Sequence, residues 1–207
     1  MQAGKFLTFE GIDGAGKTSL LRHAAAVLRA RGVSVIETRE PGGTPIGEQL
    51  RRVLLDTPVS AETELLLIMA ARAEHVRSVI VPALARGQWV LADRFSDSSH
   101  AYQGAGRGIS GAWISQLDEF ACGGLRPYRT FLVDLPADTA RARLEAIGKG
   151  GDQFERRGGS EYFERIRGGF LARAAQDPDR FIVIDGTPPL DQINKLLEEY
   201  IVNIGII

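Results

Sequence analysis

Eight residues constrain this chain more than any other stretch: Gly11-Ile12-Asp13-Gly14-Ala15-Gly16-Lys17-Thr18, two glycines bracketing four residues and followed by Lys and a hydroxyl side chain. The apolar run from Lys5 to Glu10 reads as a short buried strand, and Leu20, Ala24, Val27 and Leu28 mark one face of a helix closed by Gly32. A glycine-rich turn between strand and helix lets several backbone N–H groups converge on phosphate oxygens at the positive helix end. Lys17 supplies a mobile cation toward the β- and γ-phosphates, and the Thr18 hydroxyl suits a bound Mg²⁺. The expected ATP-binding residues are therefore Gly11, Ile12, Asp13, Gly14, Ala15, Gly16, Lys17, Thr18 and Ser19, with ATP and Mg²⁺ as cofactors. The loop fixes the donor class and leaves the acceptor open, because switches, motors and small-molecule kinases share it.

Further short apolar runs at Val33 to Thr38, Trp89 to Asp93, Thr130 to Asp134 and Phe181 to Ile184 alternate with helix-like segments. Parallel strands need crossover helices, so the expected fold is a three-layer α/β domain of the P-loop NTPase type. It has about five parallel strands, with ligands at their carboxyl ends. Residues 1–207 form one expected domain. Ile147 to Gly159, with five glycines and mixed charge, reads as a flexible lid, and Leu190 to Ile207 as a closing helix. With 25 basic and 26 acidic residues, no sequence-wide field favours a nucleic-acid polymer or an anionic membrane. Cys122 is the only cysteine, no apolar run approaches membrane-spanning length, and the N-terminus lacks an export pattern, so a cytoplasmic protein is expected. His23, His75 and His100 lack metal-ligand spacing and receive no chemical role.

A second constellation is Leu91-Ala92-Asp93-Arg94-Phe95-Ser96-Asp97-Ser98-Ser99-His100-Ala101-Tyr102-Gln103. With Phe9-Glu10-Gly11, Thr38-Arg39-Glu40-Pro41-Gly42-Gly43-Thr44 and Ala70-Ala71-Arg72-Ala73-Glu74-His75 in matching order, the chain resembles bacterial thymidylate kinases from about Lys5 to Asp185. The resemblance implies that Arg94 touches donor and acceptor phosphates and that Asp93 helps Thr18 hold the magnesium shell. An Arg fork suits two anionic groups that would otherwise repel. It further implies that Arg39 holds the acceptor phosphate, Asp13 accepts from the sugar 3′-OH and Tyr102 packs against the deoxyribose. Ser98, Ser99 and Gln103 are implied along the acceptor and its base edge, and Arg72 at the pyrimidine O4. Taken alone, Asp13 reads as a solvated loop carboxylate, Arg72 as an exposed helical arginine and Tyr102 as core.

Two departures stand out. Where the family carries a ring that stacks on thymine, this chain has Leu65-Leu66-Leu67-Ile68-Met69, with Ile68 in the matching turn. In the lid, Gln153 fills the slot of a family arginine, and Gly14 leaves the loop without an arginine of its own. A lid cation is still needed to stabilise the transferred group. Arg141, Arg143, Lys149, Arg156 and Arg157 are available, with Arg143 and Lys149 preferred, so the catalytic set is Lys17, Asp93, Arg94, Arg143 and Lys149. The implied reaction is ATP + dTMP → ADP + dTDP. The rival readings are a deoxynucleoside kinase, a nucleotide switch and a weakly active nucleotide-binding relative. A homodimer is implied, with the apolar helix Glu64 to Ala73 as a possible face.

Overall fold

A computed structural model describes residues 4–148 and 158–203. Most of the segment read as the lid, including Lys149, Gln153, Arg156 and Arg157, lies outside the described residues. Five strands form one sheet: β1 (Phe6–Glu10), β2 (Val35–Arg39), β3 (Trp89–Asp93), β4 (Arg129–Asp134) and β5 (Phe181–Asp185). All pairs are parallel, in the order β2-β3-β1-β4-β5. Every residue of β1 is buried, because helices cover both faces of a parallel sheet.

The helices are α1 (Lys17–Ala30), α2 (Pro45–Asp56), α3 (Ala61–His75), α4 (Val81–Ala85), α5 (Ser96–Ser99), α6 (Gly111–Cys122), α7 (Ala137–Ala146), α8 (Gly159–Gln176) and α9 (Leu190–Asn203). Wider π-type turns, Val76–Ile80 and His100–Gly106, carry α3 into α4 and extend α5. Local chemistry sets several starts. The Thr44 hydroxyl accepts from the Gly47 N–H ahead of Pro45, and the Ser60 hydroxyl accepts from the Thr63 N–H.

The main core lies between sheet and helices, around Leu7, Phe9, Leu20, Phe131, Phe163, Phe170 and Leu197. A smaller cluster of Leu65, Met69, Ile114 and Ala121 joins α3 to α6. Strand order reverses direction beside β1, so the carboxyl ends of β1, β2 and β3 open onto one crevice. Register makes this concrete: Arg39 pairs with Asp93, and Phe9 pairs with Asp93 on the other side. Three segments distant in sequence are thereby brought together where β1 gives way to the glycine loop.

Candidate active site

The loop after β1 has the geometry its glycines allow. Gly11, Gly14 and Gly16 have φ of 136°, 84° and 99°, and Gly14 packs so closely on α7 that a Cβ there would lie 2.6 Å from the Ala140 carbonyl oxygen. Lys17 is 6% exposed, and its Nζ donates to the Ile12 carbonyl at 2.8 Å, arching over the loop. Burial, reinforced by nearby Arg94, lowers its pKa to about 8 despite Asp13, Asp93 and Glu10. Such a lysine gains its charge most readily when an anion arrives.

Thr18 Oγ1 donates to Asp93 Oδ2 at 2.5 Å, so the two expected metal residues, from α1 and β3, meet. Among the described residues no three His, Cys, Asp or Glu side chains gather as a metal cage. A hydroxyl and one carboxylate fit Mg²⁺, which takes most of its oxygen ligands from phosphates and water.

Arg94 follows β3 in a left-handed conformation, φ 74°, that costs a non-glycine residue roughly 1–2 kcal/mol. Surrounding bonds hold it there. Its N–H donates to the Phe9 carbonyl at 3.0 Å, and the next N–H, of Phe95, donates to Glu10 Oε1 at 2.7 Å. Nη1 donates to the Gly11 carbonyl (2.9 Å) and Ser98 Oγ (3.0 Å); Nη2 donates to Asp13 Oδ1 (2.6 Å) and Tyr102 Oη (2.9 Å). Its guanidinium lies 4.8 Å from the centre of the Tyr102 ring. Although burial opposes its charge, Tyr102, Asp13, Asp93 and Glu10 outweigh that cost and hold its pKa above the ordinary value. Asp13 is thus tied to Arg94 rather than merely solvated, and Tyr102 meets the site as well as the core, where it packs edge-on to Phe170.

Glu10 lies beneath this turn, fully buried, and its Oε2 accepts from Ser98 Oγ at 2.6 Å. Burial and neighbouring Asp97 push its pKa up to about 7. Asp97 is itself 1% exposed and paired with Arg180 (2.7 Å) and Arg173 (3.1 Å). A carboxylate ending a fully buried strand is the signal that marks Glu10 from sequence.

Arg39, expected at the acceptor phosphate, pairs through Nη2 with Glu48 Oε2 at 2.8 Å and remains half exposed. Arg51, a residue for which the sequence offers no signal because Arg51-Arg52 reads as a solvated helix face, donates to the Pro41 carbonyl at 3.0 Å. Burial, then the nearby charges of Arg39 and Arg94, lower its pKa, while Glu48 and Asp13 raise it, so three guanidiniums and two carboxylates act on one another here and leave a net positive charge. Such a charge favours an anion.

Arg72 is 1% exposed, not a solvated helical arginine. Its Nε donates to Glu40 Oε2 (2.7 Å), Nη1 to Asp118 Oδ1 (2.8 Å), and Nη2 to the Phe95 carbonyl and Ser99 Oγ (both 3.1 Å). Gln103 Nε2 donates to Glu64 Oε1 at 2.7 Å, so its amide reaches toward α3. Ile68 is half-buried and its neighbour Met69 buried, in the α3 turn before Arg72. Burial pushes the Cys122 thiol up to about 12, in keeping with a structural residue. His23 pairs with Glu198 on α9, away from the loop.

Beside the loop a cleft of about 460 Å³ is lined by Gly14, Gly16, Ser19, Arg143, Thr187 and Pro189, a volume in the range of small-ligand sites. Arg143 Nη2 donates to the Gly186 carbonyl at 2.8 Å. The expected lid cation is therefore a wall of this cleft, anchored to the loop after β5.

The comparisons agree with this geometry. The thymidylate kinase family model matches residues 9–197. The thymidylate kinase of Cupriavidus metallidurans is 52% identical over 198 residues, covering 96% of this chain and 98% of that one. That of Methylobacillus flagellatus is 50% identical, covering 93% and 94%. The solved thymidylate kinase of Ehrlichia chaffeensis superposes with a TM-score of 0.75 at 32% identity, covering 98% of both chains. A chain matched in this way along almost its whole length belongs to the thymidylate kinase family.

Proposed function

We infer that the protein transfers the γ-phosphoryl group of ATP to the 5′-phosphate of dTMP, giving ADP and dTDP. The observation that carries this reading is Arg94, whose two Nη atoms bind the glycine loop through Gly11 and Asp13 and, at the same time, Ser98 and Tyr102 after β3. One guanidinium between two ligand spaces is suited to draw together phosphates that repel in water.

In this reading the loop amides and Lys17 grip the donor phosphates, and Ser19 and Arg143 line the cleft that takes the rest of the nucleotide. Arg39 and Arg51 hold the acceptor phosphate for in-line attack, while Asp13 orients Arg94 and the sugar. Tyr102 backs the deoxyribose, and Arg72, Ser99, Gln103 and Ile68 surround the base. Thr18 and Asp93 would hold Mg²⁺, which when bound offsets charge on the transferring phosphates. Arg143 and Lys149 are the preferred lid cations, with Arg156 and Arg157 as the alternatives. A coupled ADP assay over a panel of nucleoside monophosphates tests the assignment. dTMP should be the preferred acceptor, and preferred turnover of UMP, AMP or an unphosphorylated nucleoside defeats it.

Among the described residues no helix is long and apolar enough to cross a membrane, and the proposed location is the cytoplasm. A homodimer is proposed as well, through α6. Trp113 and Phe120, two helical turns apart, are 64% and 83% exposed, more than a monomer usually leaves in water on one helix face. The inner side of α3 is committed to α6 through Leu65 and Met69, which leaves Leu66 as its exposed apolar residue. Light scattering of Trp113→Glu should report a monomer where the parent chain is a dimer.

A further inference from the structure

A file of buried polar side chains runs behind the acceptor side, and none of the roles assigned above uses its central member. His75, at the end of α3, is fully buried; its Nδ1 lies 3.0 Å from Glu40 Oε1 and its Nε2 2.6 Å from Thr38 Oγ1. The second oxygen of Glu40 accepts from Arg72 Nε at 2.7 Å. Hydrogen-bond chemistry fixes one role in this file. A carboxylate paired with a guanidinium only accepts, so the His75 proton sits on Nδ1. The Nε2 and the Thr38 hydroxyl share the hydrogen bond on the other side of the ring.

The ring is clamped from a third direction. Gly43 has φ 77°, and a Cβ on it would lie 2.6 Å from His75 Nε2 and 2.7 Å from Thr38 Oγ1. His75 therefore touches the end of β2, which carries Arg39, and the turn at Gly43 on one side, and, through Glu40, the guanidinium of Arg72 on the other. Arg72 has little freedom otherwise. Its Nη1 also reaches the Met69 sulfur at 3.6 Å, so each of its three nitrogens is already engaged. Glu40, which accepts from Nε, is one of the groups that fix where the guanidinium sits.

We propose that His75 is a positioning residue that couples the two ends of the acceptor site. Through Thr38 and Gly43 it sets the end of β2 that carries Arg39, and through Glu40 it sets Arg72, so the site is matched to the distance between a 5′-phosphate and a pyrimidine edge. The inference rests on the reading of dTMP as acceptor. A role confined to fold stability would affect both nucleotides alike, whereas positioning of the acceptor acts on dTMP alone.

Steady-state kinetics and dTMP titrations of the full chain separate the two. His75→Phe keeps a ring without N–H groups, and should raise the KM and Kd for dTMP by about tenfold or more, the effect of one lost charge-assisted bond. The KM for ATP should stay within roughly twofold of the parent value, since the file is joined to the acceptor loop and Arg72 alone. His75→Asn restores a donor near Nδ1 and should recover most of the dTMP affinity. Thr38→Val, which leaves the ring in place without its partner, should raise the dTMP KM about threefold; it and His75→Asn decide the matter if His75→Phe fails to fold. Equal rises for ATP and dTMP, or an unchanged dTMP KM with only a lower melting temperature, overturn the proposal. Failure of the parent chain to phosphorylate dTMP would overturn the acceptor reading first, before any variant is compared.

Discussion

Nucleotide binding should draw a proton from solvent above pH 8, and Lys17 should be its destination. The ammonium is 6% exposed, and burial together with Arg94 lowers its pKa from the ordinary 10.5 to about 8. That difference corresponds to roughly 3 kcal/mol by which the nucleotide-free fold disfavours the charged form. The penalty is fully present below pH 8. It is relieved as pH rises from about 8 toward 10.5, where the unfolded chain still holds the proton and the folded chain does not, so this group makes the free protein more stable with rising pH. A bound polyphosphate reverses the balance by giving the ammonium an anionic partner. At pH 8.5 about one quarter of Lys17 is protonated in the free protein, so binding ADP should take up about 0.75 proton. ADP affinity should then fall by up to about tenfold per pH unit above 8.

Calorimetric titration of ADP at pH 8.5, in buffers of different ionisation enthalpy, measures the uptake directly. ADP phosphates are fully ionised there, and Glu10, with its pKa raised to about 7, is almost fully ionised too, so neither masks the signal. Lys17→Arg, permanently charged, should bind without uptake. Absence of uptake in the parent chain, or equal uptake in Lys17→Arg, refutes the reasoning.

Three further outcomes follow from particular contacts. Arg94→Lys keeps the charge but loses the fork that joins Gly11, Ser98, Asp13 and Tyr102. kcat should fall on the order of 100-fold with ADP affinity within about threefold; a matching loss of ADP affinity would place Arg94 with the donor alone. Arg51→Ala should raise the dTMP KM about tenfold and leave the ATP KM unchanged, because its charge lies with Arg39 and Arg94; steady-state kinetics that show equal rises would reduce it to a support for α2. Asp97→Asn removes the buried carboxylate that pairs with Arg173 and Arg180, both partly exposed, while Arg180 keeps Asp177, and should cost about 2 kcal/mol in urea unfolding. A loss below about 1 kcal/mol would mean that water reaches those arginines.

Local chemistry in the sequence was enough to mark the proposed donor half of the site. Lys17 and Thr18 follow a loop whose conformation is set by glycines within a few residues, and the apolar runs around it pair as a covered parallel sheet. The ends of those runs shifted by a residue or two, β2 beginning at Val35 and closing on Arg39, because strand limits depend on a neighbour's ladder. Matching motifs then carried the family. Tertiary structure alone decided how the charges are shared. Asp13 and Arg94 are 81 residues apart and meet only because β1 and β3 are neighbours in the sheet.

The same reasoning covers what sequence missed. Arg51 has the pattern of a surface residue, and only the fold of α2 over the Pro41 carbonyl carries it toward Arg39. His75 carried no metal spacing and so no chemistry, yet packing closes it between Thr38 and Glu40. A side chain's type fixes what bonds it can form, while its burial and its partners belong to the packed sheet and helices. Which residues carry charge into the interior is therefore a property of the assembled fold.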